Sequence, residues 1–492
     1  MQEYESLERR FREAATVRSI AAMLGWDQET FLPGKGAVWR GEQLAWLAGR
    51  QHRLVTGEEI GAALEVCAGK FPEEGREAAN VRGWARDFRM ASRIPVEYVE
   101  RMARLTSEAT HVWAGARKAA DFSMYRPILE QLVGMAREKA DLLGWEGCRY
   151  DALLDEYEPG STAAAVEELF ARLAPEIAAM VGPAVAAAAE DGGWEPSGHF
   201  PVAGQQAFNR EVAAAIGFDF EAGRVDASNH PFCTGLGPGD TRLTTRYDES
   251  NFLSSLYGVL HEAGHGMYEQ GLDGGQWGLP MGEACSLGIH ESQSRLWENH
   301  IGGSDQFWEH WLPRAAHYFP QLLGCSPHAV AAAARRVSPG FIRVDADEVT
   351  YDLHVILRFE IERGLVGGSL AVADLPEAWN ARFRELTGLA VPDDALGCLQ
   401  DVHWSFGGFG YFPTYTMGNL HASQLMAAAR GAMAGLDGEI AAGNYSGLRG
   451  WLREQVHMHG RRWSPEELMR RATGQEPGVA AHLAHLRTRY LR

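Results

Sequence analysis

Residues 261–265 read His261-Glu262-Ala263-Gly264-His265, two imidazoles and a carboxylate in H-E-x-x-H spacing. On a helix the two histidines share one face, a turn apart, and Glu262, roughly 100° round, can reach a water held by their metal. Ligands and general base for a hydrolytic zinc site are thereby supplied together. Two histidines do not complete such a site. With no second Cys/His motif nearby, the third protein ligand is expected from a downstream carboxylate: Glu269, Glu283, Glu291 or Glu298. Glu269 lies one turn beyond His265, too far along the axis to close a tetrahedron. Glu291 is preferred, because Gly274 and Gly275 let the chain reverse and present a second helix, around Gly288 to Ser294, against the first. His290, Ser292 and Gln293 beside it either orient ligands or serve as caps and core hydrogen bonds, and the sequence leaves both readings open.

The motif needs a helix to carry it. Asp248 or Ser250 can N-cap one in which Phe252, Leu256, Val259, Leu260, Ala263 and Met267 recur at helical spacing before Gly271 ends it. Just ahead, Thr241 to Tyr247 alternates and carries β-branched residues, which predicts a small sheet beside the metal helix. Elsewhere Glu3–Leu24, Val38–Leu54, Ala163–Met180, Glu291–His300 and Tyr351–Arg363 read as helix. Gly192 to Gly204 and Gly235 to Gly239 read as loops bounding a compact insertion. The expected fold class is mainly α: a large helical HExxH fold with an active-site groove and a small β-sheet beside the metal helix. One domain is expected over 1–492, with about 1–120 as an N-terminal helical subdomain and about 200–420 carrying the site.

Composition narrows the class. The chain has 492 residues, 46% of them hydrophobic, enough to bury a large core. Lys and Arg number 46 against 65 Asp and Glu, so the formal charge of 46 − 65 = −19 disfavours nucleic acid or an anionic membrane as partner. Met1 to Arg18 lacks the apolar core of a signal peptide, and no run is expected to span a membrane. Cys67, Cys148, Cys233, Cys285, Cys325 and Cys398 stand apart with no C-x-x-C pair, which fits a reducing, cytoplasmic setting.

Five motifs occur in order: Asp240-Thr241-Arg242-Leu243-Thr244, the H-E-x-x-H pentapeptide, His290-Glu291-Ser292-Gln293, Ile342-Arg343-Val344-Asp345-Ala346-Asp347, and Gly397-Cys398-Leu399-Gln400-Asp401-Val402-His403-Trp404. In this set the chain resembles the thermostable carboxypeptidase Taq family of metallocarboxypeptidases, whose DxRxT, HExxH, HESxx-type, IRxxAD and GxxQDxHW patterns are matched without departure. Gly25-Trp26-Asp27-Gln28-Glu29-Thr30 is also similar to the family, so the resemblance covers the whole chain. It implies His261, His265 and Glu291 as ligands of Zn2+, with Co2+ possible. It further implies a deep groove, a homodimer and broad-specificity removal of single residues from peptide C-termini. An N-terminal helical lid would restrict substrates to short peptides.

A carboxypeptidase must grip a free α-carboxylate, for which the planar fork of Arg is suited. Arg343 and Arg242 are the candidates. Each sits among acids, Asp345 and Asp347 for the first and Asp240 for the second, so a structural ion pair is the competing reading. The two readings stand even for Arg242, while for Arg343 the family motif favours substrate binding. The tetrahedral oxyanion needs a donor besides the metal, and His403, Tyr411 and Tyr415 lie in a glycine-aromatic loop that can offer one, or can simply pack. Gln400 and Asp401 either position His403 or cap the preceding helix.

The mechanism read from these residues has a metal-bound water attack the last peptide bond, with Glu262 as general base. The alternative is a metallo-oligopeptidase or dipeptidyl carboxypeptidase on a similar helical scaffold, separable by its products. A catalytically silent scaffold is disfavoured by Glu262, since structural zinc sites close all four positions and need no base.

Overall fold

The computed structural model describes residues 1–190 and 194–491; Gly192 and Gly193 of the stretch read as loop lie outside the described residues. Two compact units emerge from the packing. One comprises Met1–Ser92, Gly193–Ala334 and His421–Pro477; the other comprises Arg93–Gly192, Arg335–Leu420 and Gly478–Arg492.

In the first unit two long helices, Gln2–Thr30 and Ala37–Thr56, pack on each other. The first runs past the expected Leu24 because nothing stops it before Leu32-Pro33, where the residue ahead of proline disfavours helix. Tyr4, Leu7 and Phe11 on its inner stripe bury against Trp84, Ile60 and Leu64. Strands β1 (Gly223–Ala227), β2 (Cys233–Gly237) and β3 (Asp240–Thr245) form one sheet in the order β1-β3-β2. β1 runs parallel to β3, with Arg224 opposite Arg242, and β2 runs antiparallel to it.

β3 leads into the metal helix, Phe252–Gly271, and packs on it. A Cβ added to Gly266 would lie 2.9 Å from Leu243 of β3 and 2.7 Å from Phe218, so the glycine permits that approach. The cap differs from expectation: Asn251 Oδ1 accepts from Leu253 N at 3.1 Å. Asp248 is consumed in a local turn instead, its Oδ1 accepting from Ser250 N and Oγ at 2.8 and 2.6 Å. The following helix, Leu287–Arg295, is capped by Ser286 Oγ, which accepts from Ile289 N at 3.1 Å. It does not continue as α-helix to His300 but widens at once into a π-helix, Leu296–Gly302. The segment expected as a compact insertion is part of the core. Phe208, Val212, Ile216 and Phe218 join Phe252, Leu256, Leu260 and Trp297 in one buried cluster, because the Val202–Ile216 helix presents a continuous apolar stripe.

The second unit is built around Tyr351–Gly367, a helix buried on nearly every side and in contact with Phe122–Leu143, Ala163–Glu190 and Leu375–Thr387. Its buried Asp352 is satisfied: Oδ1 accepts from Thr416 Oγ1 and Asn419 Nδ2, both at 2.8 Å, and Oδ2 lies 2.9 Å from His482 Nε2. Ala163–Glu190 corrects one expectation, since by length and composition it could cross a membrane. Here its stripe of Val166, Phe170, Leu173 and Ile177 is buried, Phe170 packing edge-on to Phe359 at 5.2 Å.

Candidate metal centre

His261 and His265 leave the metal helix on one face with ring centroids 4.9 Å apart. The facing helix delivers Glu291, and one ligand atom from each of the three side chains lies within 4.8 Å of the others. Glu291 Oε2 is 3.8 Å from His261 Nε2 and 3.4 Å from His265 Nε2. The approach depends on Gly264: a Cβ there would meet Gln293 O at 2.5 Å and Ser294 Cα at 2.7 Å, both backbone atoms of the Glu291 helix.

The outer ring nitrogens are committed. His261 Nδ1 is 2.7 Å from Glu298 Oε2, an acceptor that holds the proton on Nδ1. His265 Nδ1 is 3.0 Å from the His290 carbonyl, which can only accept, so its proton also sits outward. The His290 ring continues the chain, with Nδ1 2.6 Å from His265 Nδ1 and Nε2 2.9 Å from Glu269 Oε1. Both Nε2 atoms are thereby left as lone pairs facing a carboxylate oxygen, a crowding of acceptors that only a proton or a cation relieves. Glu291 Oε1 meanwhile accepts from Arg295 Nε at 2.7 Å. Of the neighbours left open by the sequence, His290 reaches His265, whereas Ser292 Oγ donates to Ile289 O and Gln293 Oε1 lies 3.0 Å from His457 Nε2.

Electrostatics agree with a dication site. With every carboxyl counted as ionised and the imidazoles as neutral, the state a bound cation would favour, Glu262, Glu291 and Glu298 against Arg295 give a formal 1 − 3 = −2. Burial opposes ionisation of Glu291, yet Arg295 and His261 outweigh it and hold the carboxyl well below its usual range. Burial likewise disfavours charge on His261, but Glu291 and Glu298 raise it to about 9, whereas burial and His290 bring His265 down to about 3. Glu262, buried beside them, is pushed up to about 7 by desolvation, against His261. Two imidazoles and one carboxylate form the donor set of catalytic zinc sites, in which a fourth position stays open. The residues present therefore fit a divalent cation.

In the second unit Arg343, His403, Tyr411 and Tyr415 also come together. Arg343 Nε and Nη2 donate to Asp401 Oδ1 at 3.0 and 2.9 Å, and Nη1 donates to Tyr351 Oη at 3.0 Å. Asp401 Oδ2 accepts from Arg358 at 2.6 Å. Asp345 and Asp347 are not the partners; Asp347 caps Val349 and Thr350. The Tyr415 ring lies 4.6 Å from the Arg343 guanidinium, and its hydroxyl is 3.1 Å from His403 Nε2. Tyr411 packs on Tyr415 with centroids 5.3 Å apart. Gln400 Oε1 accepts from Arg343 N at 2.9 Å, so Gln400 and Asp401 serve the arginine. Below the loop, buried Glu362 accepts from Tyr150 Oη, Trp404 Nε1 and Gly410 N at 2.7, 2.8 and 3.0 Å. Arg242, in the first unit, forks onto Asp240 at 2.9 Å through two bonds and lies 4.3 Å over the Trp26 ring, which joins two of the sequence motifs.

The chain matches the model of the carboxypeptidase Taq (M32) metallopeptidase family over residues 6–490. It is 40% identical to thermostable carboxypeptidase 1 of Thermus thermophilus, over 99% of this chain and 98% of that protein. It is 34% identical to carboxypeptidase 1 of Bacillus subtilis, over 95% and 94%. Among solved structures, the M32 carboxypeptidase from Deinococcus radiodurans R1 superposes with a TM-score of 0.94 at 40% identity, covering 100% of this chain and 99% of that one. Metallocarboxypeptidase 1 of Trypanosoma cruzi does so with a TM-score of 0.96 at 37% identity, covering 100% of both.

Proposed function

The chain belongs to the carboxypeptidase Taq (M32) metallopeptidase family and is a metallocarboxypeptidase acting on peptides, and on that premise we propose how its own residues divide the work. His261, His265 and Glu291 hold the metal, zinc or cobalt, which their ligand types do not separate. When bound, the cation supplies an acidified water and a Lewis acid for the scissile carbonyl. Glu262 takes the proton from the attacking water and returns it to the leaving amine nitrogen. The observation that carries this reading is the pair of outward-locked imidazoles whose Nε2 atoms converge on one carboxylate oxygen.

Arg343 grips the substrate's terminal carboxylate. The supporting feature is charge: Arg343 and Arg358 share Asp401, a formal 2 − 1 = +1 that an α-carboxylate would balance. Arg242, already forked onto Asp240, comes second to it. His403 and Tyr415, or Tyr411 beside them, donate to the oxyanion. Single residues are released stepwise with broad specificity from short peptides, the N-terminal helices acting as a lid. The protein works as a cytoplasmic homodimer without nucleic-acid or membrane partners, in keeping with its acidic charge and six free cysteines.

The test is mass spectrometry of an N-blocked peptide and its C-terminally amidated twin, incubated with stripped protein re-supplied with zinc or cobalt. Stepwise loss from the free acid alone is expected; internal cleavage of both peptides would favour the oligopeptidase alternative. Glu262→Gln should lower kcat by ~10²–10⁴-fold with metal content unchanged, and full activity in that variant sinks the base assignment.

A further inference from the structure

We propose that Glu298 and Arg295 are positioning residues of the metal centre: Glu298 locks His261 with Nε2 bare toward the cation, and Arg295 ties Glu298 to Glu291 so that a single Glu291 oxygen is presented. This inference rests on the reading that His261, His265 and Glu291 hold the metal.

The two ligand histidines are supported unequally. His265 Nδ1 meets a neutral carbonyl and the His290 ring, whereas His261 Nδ1 meets a carboxylate at 2.7 Å. Without Glu298, His261 is free to place its proton on Nε2, where it blocks coordination, or to turn its ring. Arg295 stands between the two acids, with Nε 2.7 Å from Glu291 Oε1 and Nη1 3.3 Å from Glu298 Oε2. The guanidinium thus occupies Oε1 of Glu291, while Oε2, which also accepts from Ser294 Oγ at 3.3 Å, is the oxygen set toward the two Nε2 atoms.

Backbone geometry makes this brace possible. Glu291, Arg295 and Glu298 are spaced i, i+4 and i+7 along one run, but the run changes from α to π immediately after Arg295. Glu298 therefore departs from a wider turn than a continuous α-helix would give, and from there reaches across to the metal helix. Single π turns inside helices recur at functional sites. Here the turn places one carboxylate.

The experiment titrates Zn2+ into stripped wild-type, E298A, E298Q, R295M and H265A proteins against a chromogenic chelator, with visible spectra of the Co2+-loaded forms and melting curves of the metal-free forms. E298A is expected to weaken Zn2+ binding by ~10–100-fold and to shift the Co2+ bands, with the metal-free melting curve unmoved. E298Q keeps an acceptor but loses the charge and falls between E298A and wild type; R295M also binds more weakly. Should E298A fail to fold, E298Q and R295M carry the test. Any folded Glu298 variant with wild-type Zn2+ affinity and Co2+ spectrum overturns the proposal. H265A separates the two readings: loss of Zn2+ there upholds the ligand set, while wild-type Zn2+ affinity in H265A would overturn the ligand set and the brace with it.

Discussion

The two buried ionic clusters differ in how they close. Around Asp401 the carboxylate is fully engaged, one oxygen by Arg343 and the other by Arg358, and the tyrosine hydroxyl beside Arg343 takes a further donor, with one positive charge left over. Around Glu291 the network stops short, because two imidazole Nε2 atoms and a carboxylate oxygen converge and only a proton or a cation between them closes it once both Nδ1 atoms are protonated. A cluster held by its own hydrogen bonds keeps its shape without a ligand. One that gathers acceptors of like character is completed by something it must bind.

This contrast can be broken most directly by removing the metal. Chelation should abolish turnover and re-added zinc or cobalt restore it; at ~1,000-fold excess over Kd the ion should add ~4 kcal/mol of stability, read as a rise in melting temperature. A stripped protein that still turns over peptide would leave the Glu291 cluster no different in kind from the Asp401 one.

Asp401→Asn probes the other side. It leaves Arg343 and Arg358 buried without their counter-charge, so unfolding should be easier by ~3–5 kcal/mol, with zinc content unchanged. Loss of zinc without loss of stability would invert the comparison.

Gly264→Ala tests the helix crossing that brings Glu291 to the histidines. Alanine gains ~1 kcal/mol of helix propensity, but its Cβ would strike backbone atoms that have no rotamer to yield, and overpacking of this kind costs ~1–3 kcal/mol. A net destabilisation with weaker Zn2+ binding is expected; a more stable variant with wild-type affinity would show that the crossing tolerates a side chain.

The most gradual effect is a pH slope in the second unit. Burial pushes Glu362 up to about 7, against donors from Tyr150, Gly410 and Trp404. Its folded value lies above the ordinary 4.5, so between these two values the native chain keeps a proton that the unfolded chain releases. This contribution to stability is whole below about 4.5, falls by up to ~1.4 kcal/mol per pH unit as pH rises, and is gone above about 7. Glu362→Gln should flatten that part of the wild-type profile, and an unchanged profile would refute it.

Much of the candidate site's geometry was legible because it is local. The apolar spacing of Phe252 to Met267 makes a helix, the helix aligns His261 with His265, and the glycines at 274 and 275 return the chain so that Glu291 can face them. The cap was missed by one residue, since Asp248, Ser250 and Asn251 all suit the role and a competing turn decided among them. In the sequence Glu298 offers itself only as a ligand. Its part depends on a π turn, which has no periodic signature of its own. Gly264 stood in the motif as an unspecified position, and its meaning needed the backbone it touches.

Arg343 shows the limit from the other direction. Nearby Asp345 and Asp347 were its obvious partners, yet the pair forms with Asp401, far along the chain. By itself the sequence determined which side chains could do the chemistry and which helix would carry the histidines, because periodicity and side-chain type act over a turn or two. Tertiary structure decided which carboxylate stands nearest both histidines, which reaches the outer nitrogen of His261, and which pairs with an arginine. Those choices depend on distances of a few ångströms between elements that the sequence does not keep adjacent.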